Sequence, residues 1–203
     1  MVDLTLIQDV SRGNQQAFRK LFDLYHGKLF ELARYYSKSD QIAEEVTNDV
    51  FVKIWNRRSK LTTIKQLESY LYIATKNETL TYLRDNKKDL ALMSINQVEL
   101  SLKLQVQDAE HTFLDAELLK ALEDSIKNLP EKSGLVYRMI KEDNLSYKEV
   151  ARVLDLSVKS IEKHMGLAFK RIRKDLSSYI SCADLDYKNV IISLLLIPVF
   201  TLI

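Results

Sequence analysis

The chain has 203 residues, 46% of them apolar, and a formal net charge of +2 from thirty Lys and Arg against twenty-eight Asp and Glu. This length allows one ordinary domain or two small ones, and the apolar share excludes a disordered polyelectrolyte. Four Gly and two Pro fall far below an average usage of about 12%, which argues against a turn-dense sandwich or barrel and for an all-α fold.

Cys182 is the single cysteine, so no intramolecular disulfide and no thiolate-rich zinc site can form. That fits a reducing compartment. The start Met1-Val2-Asp3-Leu4 lacks the basic segment and apolar run of a signal peptide, and a cytoplasmic location is expected. Charge is spread unevenly. Residues 1–88 hold fifteen bases and eleven acids, 89–117 one and six, 118–181 thirteen and nine, and 182–203 one and two. Two small helical domains, 1–88 and 118–181, are therefore expected on either side of an acidic linker, with a hydrophobic tail at 182–203. A net +4 on each block attracts a polyanion only weakly, so the placement of individual bases must carry any nucleic-acid reading.

From Asn14, apolar residues recur at Ala17, Leu21, Tyr25, Leu29, Leu32, Ala33 and Tyr36, a helical stripe that Asn14 is suited to cap. A second helix starts near Ser39 or Asp40 and buries Ile42, Val46, Val50 and Ile54. Its opposite face carries Glu45, Asn48 and Asp49 and ends at Trp55. Such an acidic-amide face suits a protein partner, although spacing alone favours a solvated face with Trp55 in the core. A third helix runs from about Tyr70 to Leu83 and ends in Arg84-Asp85-Asn86-Lys87-Lys88. Tyr70, Lys76, Asn77, Arg84, Lys87 and Lys88 combine ring, amide and base, the chemistry for holding separated strands by stacking and phosphate contact; Tyr72 and Tyr82 are assigned to packing.

The second block opens with the stripe Leu118, Leu122, Ile126 and Leu129, interrupted by Pro130, which the first turn of a following helix tolerates. Ser146-Tyr147-Lys148-Glu149 has capping-box spacing. A short helix bearing Val150, Ala151 and Leu154 then breaks, and Ser157 opens another with Ile161, Met165, Ala168, Ile172 and Leu176 inward. The pair has the proportions of a helix-turn-helix whose second helix enters the major groove. Its outward face presents Lys159, Glu162, Lys163 and Gly166, then Lys170, Arg171, Arg173 and Lys174. The C-terminal bases suit phosphates, Glu162 a cytosine amine and Lys163 guanine. The plainer reading is a helical hairpin with bases at its negative dipole end. Acidic Glu44, Glu45 and Asp49 lack a His at the spacing of carboxylate bundle sites, so no metal and no cofactor are expected.

The strings Ile126–Pro130, Leu145–Ala151 and Ser157–His164 resemble region four of extracytoplasmic-function sigma factors, and Asn14–Leu61 with Ser69–Lys88 is similar to region two. The "SVKSIEKH" string alone also resembles the helix-turn-helix of response regulators. The resemblance covers most of the chain in the family's order. It implies a non-enzymatic subunit that brings core RNA polymerase to promoter DNA and helps open it, without a small-molecule substrate. It places Glu45, Asn48, Asp49 and Trp55 on the polymerase β′ clamp helices, with Asn48-Asp49 where the family commonly has Gln-Glu, and implies a second contact at the β flap. Lys76 and Asn77 fall on the helix that reads the minus-ten element, and the loop Leu61 to Leu67 becomes the pocket for a flipped base. Tyr70 stands where Trp is common. Upstream recognition falls to Lys159, Ser160, Glu162, Lys163, Gly166 and Leu167, followed by Lys170, Arg171 and Lys174. An anti-sigma partner is also implied.

The apolar run Val190–Ile203, interrupted by Ser193, Pro198 and Thr201, would span about 21 Å as a helix, short of the ~30 Å hydrocarbon core. Packing onto its own protein is expected, with restraint of activity until a partner displaces the tail; membrane contact, if any, falls to this segment. The alternative reading is a stand-alone regulator that binds an operator through 146–175. Capture of core polymerase separates the two.

Overall fold

The computed structural model describes residues 4–86 and 113–177, and every regular element among them is helical. The chain folds first as α1 (Leu4–Ser11), which the sequence reading had passed over. Gly13, at a φ of 87° that side chains seldom adopt, turns the chain, and Asn14 opens α2 (Gln15–Ser37) by accepting from the backbone N–H groups of Gln16 and Ala17 at 2.9 and 3.1 Å. The expected stripe is buried from Ala17 to Ala33. Lys38, left-handed at φ 54°, ends the helix by donating its N–H to Arg34, and Ser39 caps α3 (Asp40–Asn56) one residue later.

A 3-10 segment, Arg58–Thr63, links α3 to α4 (Leu67–Asp85). Helices α2, α3 and α4 pack against one another, and α1 covers the 3-10 segment. Phe30, Ala33, Ile42, Ala43 and Val46 form one buried cluster against which Tyr82 and Leu83 pack. Leu21, Leu29, Leu32, Leu71 and Tyr72 are all but sealed from solvent. Each such side chain contributes roughly 1.5–3 kcal/mol of transfer free energy, so α2 and α4 hold this region together.

The second segment comprises α5 (Phe113–Lys127), α6 (Glu131–Lys141), α7 (Tyr147–Leu154) and α8 (Val158–Asp175). Ser146 caps α7 in the expected capping box: its Oγ accepts from the Glu149 N–H at 3.3 Å, while the Glu149 carboxylate accepts from the Ser146 N–H at 2.8 Å. Asp155, left-handed at φ 52°, closes that helix.

By contacts, the described residues form two units, 4–86 with Arg138–Val158 and 113–137 with 159–177. The division falls inside α6 and at the start of α8. Polar contacts, described below, tie Arg138–Val158 to α2 and α4. Within the second unit, Ile161, Met165, Ala168, Ile172 and Leu176 are buried, Tyr137 meets Phe169 edge to face at 6.2 Å, and Ser125 donates to Asp175 at 2.8 Å. Among the described residues no helix is long and apolar enough to cross a membrane. Residues 89–112 of the acidic linker expected at 89–117, together with Lys87, Lys88, Cys182 and the apolar tail, lie outside the described residues, while 113–117 belong to α5.

Candidate functional site

Three helical faces carry the residues singled out in the sequence. The first lies on α8, whose inner stripe is buried while Lys159, Glu162, Lys163, Gly166, Leu167, Lys170, Arg171, Arg173 and Lys174 are exposed; Ser160 is half-buried. One side of the helix is thus an open field of positive charge with one acid, Glu162, among its early residues. Arg171 pairs with Asp175 at 3.7 Å. A Cβ built on Gly166 meets nothing within 4 Å, so the backbone there is open to close approach. His164, beside this face, lies 3.2 Å by its Nδ1 from the Ser133 hydroxyl. Burial, with Lys132 and Lys163 nearby, pushes its pKa down and disfavours the imidazolium.

The second face lies on α3. Glu45, Asn48 and Asp49 are exposed, as their offset from Ile42, Val46 and Val50 requires. Asn48 donates to Glu44 at 3.1 Å, and Glu45 accepts from the Tyr82 hydroxyl at 2.8 Å. Trp55 is half-buried, and its position reconciles the two expectations for it. Its ring lies 4.8 Å from that of Phe18, and the Arg58 guanidinium covers it at 4.6 Å while donating to the Trp55 carbonyl at 3.0 Å. An open groove of ≈ 390 Å³ runs beside it, lined by Gln15, Phe18, Phe22, Asn48, Phe51, Val52 and Trp55. Phe18, Phe22 and Phe51 were absent from the sequence reading. The signal was present as two i, i+4 aromatic pairs, Phe18 with Phe22 and Phe51 with Trp55, placed beside the apolar stripes rather than on them.

The third face lies on α4, and here the structure separates residues that the sequence grouped. Asn77 and Arg84 are exposed and Tyr70 is half-buried; Arg84 pairs with its neighbour Asp85 at 3.0 Å. Lys76 is only 8% exposed. Its ammonium sits 2.5 Å from the Asp155 carboxylate and donates to the Arg152 carbonyl at 3.4 Å. One turn earlier, buried Tyr72 donates to Asp143 at 2.5 Å, and Lys28 of α2 pairs with the same carboxylate. Tyr36 donates to the Val153 carbonyl at 3.1 Å. Burial and then the Asp143 charge raise the Tyr72 pKa well above the ordinary phenol value; burial followed by Asp155 pushes that of Tyr36 up to about 12. Asp143 and Asp155 were missed because nothing in their own spacing points to α4.

In the loop after α3, Leu61 and Leu67 are buried and Thr62, Thr63, Lys65 and Gln66 are exposed. The segment expected to receive a flipped base is therefore anchored at both ends with polar residues between. Among the described residues, no cluster of three or more His, Cys, Asp or Glu is arranged to hold a metal ion.

Residues 21–89 match the family Sigma-70 region 2, and residues 119–172 match Sigma-70, region 4. The chain is 25% identical over 158 residues to the ECF RNA polymerase sigma-E factor of Haemophilus influenzae, covering 74% of this chain and 82% of that one. It is 25% identical over 157 residues to the factor of the same name from Escherichia coli strain K12, with the same shares covered. Among solved structures, that of CnrH in complex with the cytosolic domain of CnrY aligns with 90% of this chain and 99% of its own, at 22% identity and a TM-score of 0.43.

Proposed function

Since the chain belongs to the sigma-70 family, in its extracytoplasmic-function group, and is thereby an alternative sigma factor that directs RNA polymerase to promoters, we propose how its three faces divide that task. The α3 face, Glu45, Asn48 and Asp49 with Trp55 beside the aromatic groove, docks on the β′ clamp helices of core polymerase. It joins acidic and amide groups to an apolar cleft, the mixture of charge and aromatic anchor that protein interfaces favour. Region four meets the β flap and lays α8 in the major groove of the upstream element, with Lys159, Ser160, Glu162, Lys163, Gly166 and Leu167 toward base edges and Lys170, Arg171 and Lys174 toward phosphates. Tyr70, Lys76, Asn77, Arg84, Lys87 and Lys88 hold the separated minus-ten strand.

Extruding one base costs a few kcal/mol, and stacking returns ~1–3 kcal/mol per base; opening therefore needs polymerase as well as the sigma subunit. The protein performs no bond chemistry, works in the cytoplasm and answers to an anti-sigma partner. Its functional blocks are 1–88 for core and minus-ten binding, 89–117 as linker, 118–181 for the upstream element and 182–203 as the apolar tail.

The observation that carries this reading is the one-sided build of α8, apolar residues sealed and every base outward. Purified chain is mixed with core polymerase and genomic start-site fragments. A stable complex and promoter-dependent RNA synthesis are expected. A chain that binds operator DNA alone and leaves polymerase unable to initiate would be a stand-alone regulator instead.

A further inference from the structure

We infer that Tyr82 of α4 is a positioning residue for polymerase capture, acting through Glu45 on the outward face of α3. This rests on the assignment of that face to core polymerase. Tyr82 has a core end and a surface end. Its ring packs with Leu83 against the buried cluster of Phe30, Ala33, Ile42, Ala43 and Val46, so the place of its hydroxyl is set by the interior of the domain. From there the hydroxyl donates to one oxygen of the Glu45 carboxylate at 2.8 Å. Glu78, one turn earlier on α4, pairs with Lys53 of α3 and ties the two helices at a second point.

A glutamate on an exposed helix face otherwise samples many rotamers, and each such side chain immobilised on binding opposes association. Tyr82 removes part of that opposition before the partner arrives. It also decides what the partner meets, because the bond engages one carboxylate oxygen and leaves the other to accept from elsewhere. Asn48 is turned in the same sense from within α3. A carboxylate only accepts, so Asn48 must give its amide N–H to Glu44, at 3.1 Å, and carry its carbonyl oxygen away from that bond. Glu45, Asn48 and Asp49 thus present acceptors, and the partner groups that fit them are donors. Since the Tyr82 bond is exposed, water competes for it. Its deletion should disturb the carboxylate's place far more than the fold.

The test uses the full-length chain and purified core polymerase. Affinity is measured by displacement of fluorescently labelled parent chain, and the unfolding midpoint of each variant in denaturant is recorded beside it. Tyr82→Phe deletes one oxygen and keeps the ring. It is expected to weaken capture about three- to tenfold, with an unfolding midpoint like that of the parent. Glu45→Ala should weaken capture at least as much. Tyr82→Phe added to Glu45→Ala should weaken it no further, because the hydroxyl then has nothing to hold.

Capture by Tyr82→Phe within about twofold of the parent, where Glu45→Ala does weaken it, overturns the positioning role alone. Losses that multiply in the double variant overturn action through Glu45. A Tyr82→Phe chain that folds poorly would give that same multiplied loss, so the cycle decides in either case. Normal capture by Glu45→Ala overturns the positioning role together with the assignment of the α3 face to polymerase.

Discussion

Helices α4 and α8 are both assigned to DNA, yet they present themselves in opposite ways. α8 buries one stripe and exposes the rest, so its bases stand in water. α4 packs against α2, α3 and α7 at once and buries polar Ser69, Thr75, Lys76 and Thr79 alongside Leu71 and Tyr72. Thr75 and Thr79 return their hydroxyls to carbonyls one turn back, at 2.9 and 2.8 Å, which satisfies them without an outside partner. Helical spacing establishes which residues share a face; it does not say what covers that face. For α8 the two questions had the same answer. For α4 they did not.

The comparison breaks most severely at the centre of α4. Leu71→Ala removes a fully buried side chain and should cost about 2–5 kcal/mol of stability, read by denaturant unfolding. Removal of exposed Leu167 from α8 by Leu167→Ala should stay within about 0.5 kcal/mol. Comparable losses at the two positions would mean that α8 is covered too.

A smaller effect is expected where α8 meets base edges. Lys163→Ala should erode discrimination among upstream sequences by about 1–3 kcal/mol at one position. Lys174→Ala should instead weaken binding to all sequences alike and lower the salt slope by about one. Competition binding at two salt concentrations separates them. Uniform behaviour from both would remove the division between base-reading and phosphate-holding residues.

Much of the fold was legible because its local chemistry is self-contained. Asn14, Ser39 and Ser146 each cap the helix that follows from their own sequence neighbourhood, and the stripes of α2, α3 and α8 repeat at helical spacing. α1 escaped notice because its eight residues bury only Val10, too little pattern to establish a period. Lys76 was assigned to a DNA face from its type and neighbours, whereas its burial depends on Asp155, 79 positions away. That dependence is set by tertiary contact and leaves no trace in the spacing of α4. The groove beside Trp55 is an intermediate case, since its aromatic pairs are visible in the sequence but their meeting across α2 and α3 is not.

At the start of α7, Ser146→Ala should cost about 1 kcal/mol, because it removes the acceptor for the Glu149 N–H and frees the Glu149 side chain from the hydroxyl it now meets at 2.7 Å. Since α7 is the helix seated on α4, the same substitution should quicken acetylation of Lys76 by an amine-acetylating reagent, followed by mass spectrometry. A stability loss with unchanged Lys76 protection would show that α7 holds its place without its cap.

A comparably modest effect at neutral pH is expected from Tyr36→Phe, which deletes one hydroxyl bond to Val153 and should cost about 0.5–1.5 kcal/mol. Its larger signature lies in alkali. A tyrosine in the unfolded chain ionises near pH 10, whereas Tyr36 in the fold holds its proton to about 12, first through burial and then through the Asp155 charge. The folded state therefore binds the proton more tightly. Its stabilising contribution is whole below about pH 10 and is lost as pH climbs toward 12. Thermal unfolding followed across that window should fall steeply for the parent and less so for Tyr36→Phe, which has no proton to lose. Parallel declines, or tyrosinate absorbance showing that Tyr36 titrates like a solvated phenol, would place its hydroxyl in water and α7 away from α2.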